Sequence, residues 1–155
     1  MSTSCPFTDE SELSLPALIG RTRTAIVARL EQMLAEQGFD LNFTQYLVLK
    51  HLARFGELSA TDLARRIAHD AGAMTRVVDK LTTKGYVRRN PSETDRRALR
   101  IQLSEAGRGV WGRVHGCANE CIESTLQPFS VAERKQLASM LVRMLAALEQ
   151  PISSN

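Results

Sequence analysis

The chain has 155 residues, of which 43% are hydrophobic and 24% are charged, a composition typical of one soluble globular domain with its own core. No apolar stretch approaches the ~20 residues that a membrane-spanning helix needs. Residues 1–16 contain acidic but no basic side chains, unlike a secretory signal. We therefore expect a cytoplasmic protein that does not associate with membranes.

The formal net charge of +3 conceals an uneven distribution along the chain. Between Thr61 and Arg113 the sequence has twelve Lys or Arg residues against six Asp or Glu residues, while acidic residues are in excess elsewhere. A basic segment between acidic ends favours a module that binds a polyanion. A charged face that is merely solvated is the alternative.

Apolar periodicity and capping signals predict four helices in the first half of the chain. Pro16 follows Ser14 as in a first helical turn, Asn42 and Gln45 form a capping pair, and Asp70 can cap the fourth helix. The predicted helices run from Leu15 to Gly38, Asn42 to Phe55, Ala60 to Ile67 and Asp70 to Lys84.

The pattern then changes to the alternation typical of strands. Two predicted strands, residues 86–89 and 98–103, flank the polar turn 90–97. Ser104 caps a long fifth helix, and Ser130 with Glu133 opens a sixth. The last helix has apolar residues at heptad-like spacing, namely Leu137, Leu141, Met144 and Leu148.

Two short helices followed by a hairpin define a winged helix-turn-helix, in which the second helix enters the major groove of DNA. The small residues that begin the fourth helix allow close approach, and Thr75 and Arg76 can bond to bases or phosphates. Arg96 and Arg97 at the hairpin tip suit a minor groove or the backbone. We expect Asp95 to organise this wing by holding an arginine through a charge-assisted hydrogen bond.

Two segments resemble the multiple antibiotic resistance regulator (MarR) family. Gly72-Ala73-Met74-Thr75-Arg76-Val77-Val78-Asp79-Lys80-Leu81 resembles its recognition helix. Thr94-Asp95-Arg96-Arg97, with the following strand and Leu103-Ser104-Glu105-Ala106-Gly107, resembles its wing and the entry to its fifth helix. The order of helices also matches, so the resemblance covers roughly residues 15–150.

The resemblance implies a mainly α-helical homodimer that binds double-stranded DNA, usually a repressor on a palindromic operator. Residues 41–103 would form the winged helix-turn-helix, residues 14–40 and 104–150 the helical dimerisation region, and residues 1–13 a flexible tail. The apolar faces of the first and last helices independently favour a dimer, with an intramolecular bundle as the alternative. The implied DNA-proximal residues are Asp70, Gly72, Ala73, Thr75, Arg76, Lys80, Arg96 and Arg97.

In this family, phenolic or lipophilic small molecules often bind between the dimerisation region and the DNA-binding region. By helix position, Arg21, Tyr46 and His51 would flank such a cavity. A phenolate or carboxylate effector would favour such donors. We therefore predict a small aromatic or phenolic effector, and no cofactor.

The three cysteines, Cys5, Cys117 and Cys121, lack the spacing of a disulfide framework and suit reduced cytosolic thiols. A thiol-based, oxidation-sensing repressor is an alternative hypothesis. Such a repressor would use Cys5, Cys117 or Cys121, of which Cys117 and Cys121 are the candidate redox residues, although sequence does not show the lowered pKa that a reactive thiol needs. His115 near them forms a loose cluster, and we predict no metal site.

Two other classes of protein remain for comparison. An enzyme is disfavoured because the sequence has no phosphate-binding glycine loop, no nucleophile motif and no paired acidic site. A winged helix that contacts only proteins would show fewer exposed arginines. Salt dependence separates this class from a DNA-binding protein, because phosphate binding weakens steeply as salt rises.

Overall fold

The computed structural model describes residues 14–91 and 99–149. These residues form six helices and a two-stranded antiparallel sheet, which confirms the predicted mainly helical fold and its order of elements. The chain comprises two compact units, which meet between Cys121 and Ile122. The elements are α1 (Leu15–Glu36), α2 (Phe43–Phe55), α3 (Ala60–Ile67), α4 (Ala71–Thr83), β1 (Val87–Pro91), β2 (Leu99–Leu103), α5 (Glu105–Leu126) and α6 (Val131–Glu149).

Side-chain caps begin most of these helices where the sequence predicts them. Asn42 and Gln45 satisfy each other's backbone N–H groups in a complete capping box at α2, and Ser130 and Glu133 do the same at α6. Ser14 precedes α1 but makes no side-chain capping bond. Single side-chain caps are provided by Ser59, Asp70 and Ser104. Each cap satisfies an N–H group that lacks an intrahelical partner.

The first unit has one hydrophobic core, to which α1 to α5 and both strands contribute. The largest side chains that are almost fully buried in it are Leu34, Leu49, Leu63, Met74, Leu81 and Ile101. Leu58, which follows α2, pairs with Ile101 of β2 through two backbone hydrogen bonds of 2.8 and 3.0 Å. This bridge joins the sheet to the helices beneath it.

The first strand extends further than predicted. Asn90 and Pro91 were expected in the turn, but they pair with Arg100 and Leu99 as the last residues of β1. Proline tolerates this position because it is the end of the strand, where a missing N–H costs little. Tyr86 lies just before the strand, where its N–H donates to the carbonyl of Leu81.

Three contacts fasten the connection between α1 and α2. The Glu31 carboxylate accepts a hydrogen bond of 2.7 Å from the backbone N–H of Phe43. Lys84, which follows α4, binds the carbonyl and carboxylate of Asp40. This ion pair lowers the pKa of Asp40. The guanidinium of Arg113 in α5 lies 4.8 Å from the ring centroid of Phe39. The connection is therefore attached to two further helices, α4 and α5, besides the two that it joins.

The second unit contains the end of α5 and α6. Arg134 pairs with Glu123 at 2.9 Å and donates to the carbonyl of Phe129, which fixes the turn between the helices. None of the residues of α6 is buried. Its exposed large apolar residues are Val131, Leu137, Met140, Leu141, Val142, Met144, Leu145 and Leu148.

The closest backbone approach in the fold occurs where α5 begins. A Cβ atom at Gly107 would lie 2.0 Å from the carbonyl oxygen of Tyr86. The same carbonyl accepts a hydrogen bond of 3.0 Å from the N–H of Ser104. Any side chain at position 107 would therefore push α5 away from the turn that precedes β1.

We predict that Gly107→Ala lowers the free energy of unfolding by about 2–3 kcal/mol, the cost typical of overpacking against atoms that cannot move away. Urea denaturation at fixed protein concentration measures this change. Gly109 is the matched control, because it lies in the same helix with open space around its Cβ position. Gly109→Ala should raise stability by roughly 0.5–1 kcal/mol. Equal effects of the two substitutions would contradict the proposed packing.

Candidate nucleic-acid interface

One side of α4 is packed into the core and the opposite side is open. Met74, Val78 and Leu81 are each 0% exposed, and their spacing places them on one side of the helix. The open side carries residues that we call the α4 face. They are Gly72, Thr75, Arg76, Asp79 and Lys80, all of them exposed.

The beginning of α4 is shaped for close approach by another molecule. The carboxylate of Asp70 accepts a hydrogen bond of 2.8 Å from the backbone N–H of Ala73. A Cβ atom at Gly72 would lie 3.2 Å from this carboxylate, so glycine leaves room for the cap. Ala73, predicted to lie close to DNA, is half-buried. Asp70 and Ala73 thus form the helix terminus, while Thr75 and Arg76 project from it.

A tight turn places α4 against α3. Ala68 adopts the left-handed conformation, with φ of 53°, and the N–H of His69 donates to the carbonyl of Ala64 at 2.8 Å. α3 and α4 pack closely on each other. Two short helices with this connection are the helix-turn-helix that the sequence predicts.

The hairpin of β1 and β2 adds further basic side chains beside these helices. Arg88 is exposed, and Arg89 and Arg100 are half-buried. The predicted wing residues Asp95, Arg96 and Arg97 lie outside the described residues. Their roles in binding DNA and in organising the wing therefore stay predictions.

Two ion pairs that sequence analysis missed connect the hairpin to the helices. Asp79 of α4 lies 2.6 Å from the guanidinium of Arg89 in β1. Asp62 of α3 lies 3.7 Å from the guanidinium of Arg100 in β2 and 2.7 Å from that of Arg65. The sequence holds one sign of these ion pairs, because Asp79 is an acidic residue on a helix face whose other charged residues are basic.

The environment of Asp62 keeps it ionised. The hydroxyl of Ser59 donates a hydrogen bond of 2.7 Å to its carboxylate. That hydrogen bond is the main cause of a lowered pKa for Asp62, and the nearby Arg65 and Arg100 lower it further. The carboxylate is therefore negatively charged throughout the physiological pH range.

The residues predicted to bind a ligand, Arg21, Tyr46 and His51, lie in different surroundings. Tyr46 is 5% exposed and stacks with Phe43 and Trp111 at centroid distances of 6.2 and 6.1 Å, and burial raises its pKa. Arg21 is exposed on α1. Tyr46 lies in the core, and its role in binding a ligand stays a prediction.

His51 belongs to an aromatic and basic cluster at the end of α2. Its ring stacks on Phe55 at 5.7 Å, and the guanidiniums of Arg54 and Arg66 lie 5.1 and 4.2 Å from the Phe55 centroid. Burial, followed by the charges of Arg66, Lys50 and Arg54, lowers the pKa of His51. This imidazole is therefore neutral at physiological pH.

Arg21 lines an open groove of about 590 Å³ on the surface of α1. The groove is formed by small side chains along one side of the helix. The other residues that line it are Ala17, Gly20, Thr24, Ala25 and Ala28. A guanidinium beside small side chains can bind a carboxylate or phenolate by charge-assisted hydrogen bonds.

The two described cysteines are buried thiols in α5. Burial raises the pKa of Cys117, as does the charge of Glu120, and burial also raises the pKa of Cys121. A raised pKa reduces the thiolate population that oxidation requires. Cys5 lies outside the described residues. Among the residues described, no group of three or more His, Cys, Asp or Glu side chains is arranged to bind a metal ion.

Known proteins share this architecture. Residues 39–98 match the sequence model of the MarR family. The transcriptional repressor MprA of Escherichia coli K12 is 24% identical over 139 residues, which cover 90% of this chain and 79% of MprA.

Two solved structures are similar throughout most of their length. A variant of Escherichia coli MarR in complex with operator DNA matches with a TM-score of 0.79 and 23% identity, covering 92% of this chain and 99% of that one. BpsR of Bordetella bronchiseptica, studied for the regulation of its DNA binding by 6-hydroxynicotinic acid, matches with a TM-score of 0.76 and 23% identity. This match covers 86% of this chain and 94% of BpsR.

The fold and the α4 face define a winged helix-turn-helix protein. No helix within residues 14–91 and 99–149 has the length and apolarity of a membrane span. Residues 39–98 match the sequence model of the MarR family, and the chain shares its fold with the solved structure of a MarR variant bound to operator DNA.

Proposed function

We propose that this chain is a cytoplasmic transcriptional repressor that binds a palindromic DNA operator as a homodimer and is released by a small phenolic or lipophilic ligand. The observation that carries the proposal is the α4 face, whose exposed Thr75, Arg76 and Lys80 stand on a helix that is anchored in the core. The repressor name of MprA and the operator complex of a MarR variant support it.

The chemistry of the α4 face suits the major groove. An arginine can donate two hydrogen bonds to guanine, and threonine can donate to bases or phosphates. The open helix terminus at Gly72 allows the backbone to approach the DNA closely. Arg96 and Arg97 would add contacts to the neighbouring backbone or minor groove, with Asp95 fixing their direction.

We predict that selection from a random duplex pool enriches an inverted repeat whose half-sites lie about one helical turn apart, ~34–36 Å. Binding should weaken with salt, with a slope of log Kobs against log[salt] near −0.9 for each phosphate contacted. Arg97→Ala should weaken binding to all sequences and make this slope less steep by about 0.9, while Arg76→Ala should also change the preferred sequence. Fluorescence anisotropy measures the affinity for each duplex and, when repeated at several salt concentrations, the salt slope.

Arg143 of α6, which lies in the second compact unit, provides the control. Arg143→Ala should leave both the affinity and the salt slope unchanged. Failure of the wild type to enrich any sequence would refute the proposed function and favour a module that contacts proteins. Wild-type affinity of the Arg97→Ala variant would refute the role of the wing.

The homodimer is supported by apolar surface in each compact unit. In the first unit, Leu15, Leu18 and Ile19 of α1 are about 40% exposed. In the second, Leu145 and Leu148 of α6 are 59% and 75% exposed. Apolar surface of this extent on a monomer usually marks an interaction site. A second copy of the chain covers these surfaces in the proposed dimer.

We predict a mass in solution of about twice the chain's 17.2 kDa, measured by light scattering at micromolar concentration. Leu141→Glu should give the mass of a single chain, because it would bury a charge in the apolar interface. Arg143→Glu changes the charge more strongly on the same helix and should remain dimeric. A dimeric Leu141→Glu variant would place the interface elsewhere.

The ligand is proposed to occupy the α1 groove. Arg21 would bind its carboxylate or phenolate, and the neighbouring small side chains would contact its ring. The regulation of BpsR by 6-hydroxynicotinic acid, an aromatic acid, supports this class of effector. The buried thiols of Cys117 and Cys121 make oxidation sensing the weaker alternative.

We predict that salicylate weakens operator binding by about tenfold, within the usual range of coupling between two sites. Arg21→Gln should require about tenfold more salicylate for the same effect, because it removes a charge-assisted hydrogen bond. Arg23→Gln is the matched control, since this exposed arginine of α1 does not line the groove. Equal salicylate sensitivity of both variants would contradict the role of Arg21.

A further inference from the structure

The negative charge of Asp79 is unexpected on a surface that we propose binds DNA. It lies on the α4 face between Arg76 and Lys80, where a carboxylate would repel DNA phosphates. Its side chain is 54% exposed, and its Oδ1 lies 2.6 Å from Nη2 of Arg89 in β1. The contact with Arg89 therefore gives this carboxylate a role within the protein.

A second pair joins the other strand to the other helix. Asp62 of α3 lies 3.7 Å from Arg100 of β2. Arg89 is opposite Ile101 and Arg100 is opposite Asn90 in the sheet. Since residues opposite each other point to the same face and successive residues alternate, Arg89 and Arg100 project from opposite faces. The two pairs therefore fasten the hairpin from both sides.

We propose that Asp79 and Asp62 are positioning residues for DNA binding, which attach β1 to α4 and β2 to α3 and so fix the hairpin relative to the α4 face. The proposal rests on the proposed DNA-binding function. Residues 92–98, with Arg96 and Arg97, continue from the ends of these two strands. Asp79 thus acts through Arg89 and needs no contact with DNA.

If Asp79 positions the hairpin, removing its carboxylate should change the affinity for DNA in the direction opposite to that expected from its charge alone. Removing a negative charge from a DNA-facing surface should strengthen binding and leave the other phosphate contacts unaltered. Removing a positioning carboxylate should weaken binding, and it should flatten the salt dependence because the arginines of the wing no longer meet their phosphates. The sign of the change therefore separates the two roles.

The experiment compares Asp79→Ala with wild type on the duplex enriched by selection. We expect about fivefold weaker binding, the factor that corresponds to ~1 kcal/mol, the upper end for exposed ion pairs, and a flatter salt slope. Asp40→Ala removes another exposed carboxylate that pairs with a lysine at 2.9 Å and should bind as wild type does. The melting temperature of each variant should stay within about 4 °C of that of wild type, the shift that corresponds to ~1 kcal/mol.

A double-mutant cycle tests whether Asp79 acts through Arg89. In the Arg89→Gln background, Asp79→Ala should leave affinity unchanged or increase it, because its partner is absent. Equal or tighter binding of the single Asp79→Ala variant would overturn the proposal. So would the same fivefold loss in the Arg89→Gln background.

Amide hydrogen exchange without DNA separates this proposal from the proposed function. Asp79→Ala should speed exchange of the backbone N–H groups of Arg88 and Asn90, which face Gln102 and Arg100 across the sheet, and Asp40→Ala should not. Unchanged exchange in β1 would overturn the positioning role whether or not the chain binds DNA. A wild-type chain that selects no DNA sequence, but shows faster exchange in the variant, would refute only the proposed function.

Discussion

The burial of one side of α4 determines what the molecule can present to a partner. Met74, Val78 and Leu81 are completely buried, and each contributes roughly 1.5–3 kcal/mol through the hydrophobic effect. An exposed ion pair contributes ~1 kcal/mol or less. The burial of these three side chains therefore determines which side of α4 faces the core. The opposite side, which carries Arg76 and Lys80, is exposed as a consequence.

The ion pairs made by Asp79 and Asp62 affect something else, the tilt of the hairpin relative to α3 and α4. A two-stranded sheet is marginal by itself, and this one is joined to the core by the buried side chains of Val87, Ile101 and Leu103 and by the bridge from Ile101 to Leu58. These contacts alone do not fix the tilt of the hairpin relative to α3 and α4. Contacts from Asp79 and Asp62 restrict this tilt from two sides, so a weak interaction can determine the geometry of a binding surface without dominating its stability.

Local structure could be predicted from the sequence because its signals are local. Asn42 with Gln45 and Ser130 with Glu133 marked helix starts that the structure confirms. The extension of β1 through Pro91 was missed because proline ordinarily signals a turn.

Contacts between elements were harder to predict. Asp79 and Arg89 lie in different elements, and nothing in their spacing identifies them as partners before the fold is known. Tyr46 and His51 were both predicted to flank a ligand cavity, and the sequence already shows that they lie on different sides of α2. Five positions along a helix place them about 140° apart, so one ring is buried in the core while the other stacks on Phe55.

The exposed apolar surface of α6 links stability to function. No residue of this helix is buried in the single chain, so its side chains gain hydrophobic stabilisation only when another surface covers them. If a second copy provides that surface, the folded helix is stabilised by mass action and its stability rises with protein concentration. A palindromic operator would add to this effect, because it binds two winged helices and thereby favours the dimer. DNA binding, dimerisation and the folding of α6 would then be parts of one equilibrium.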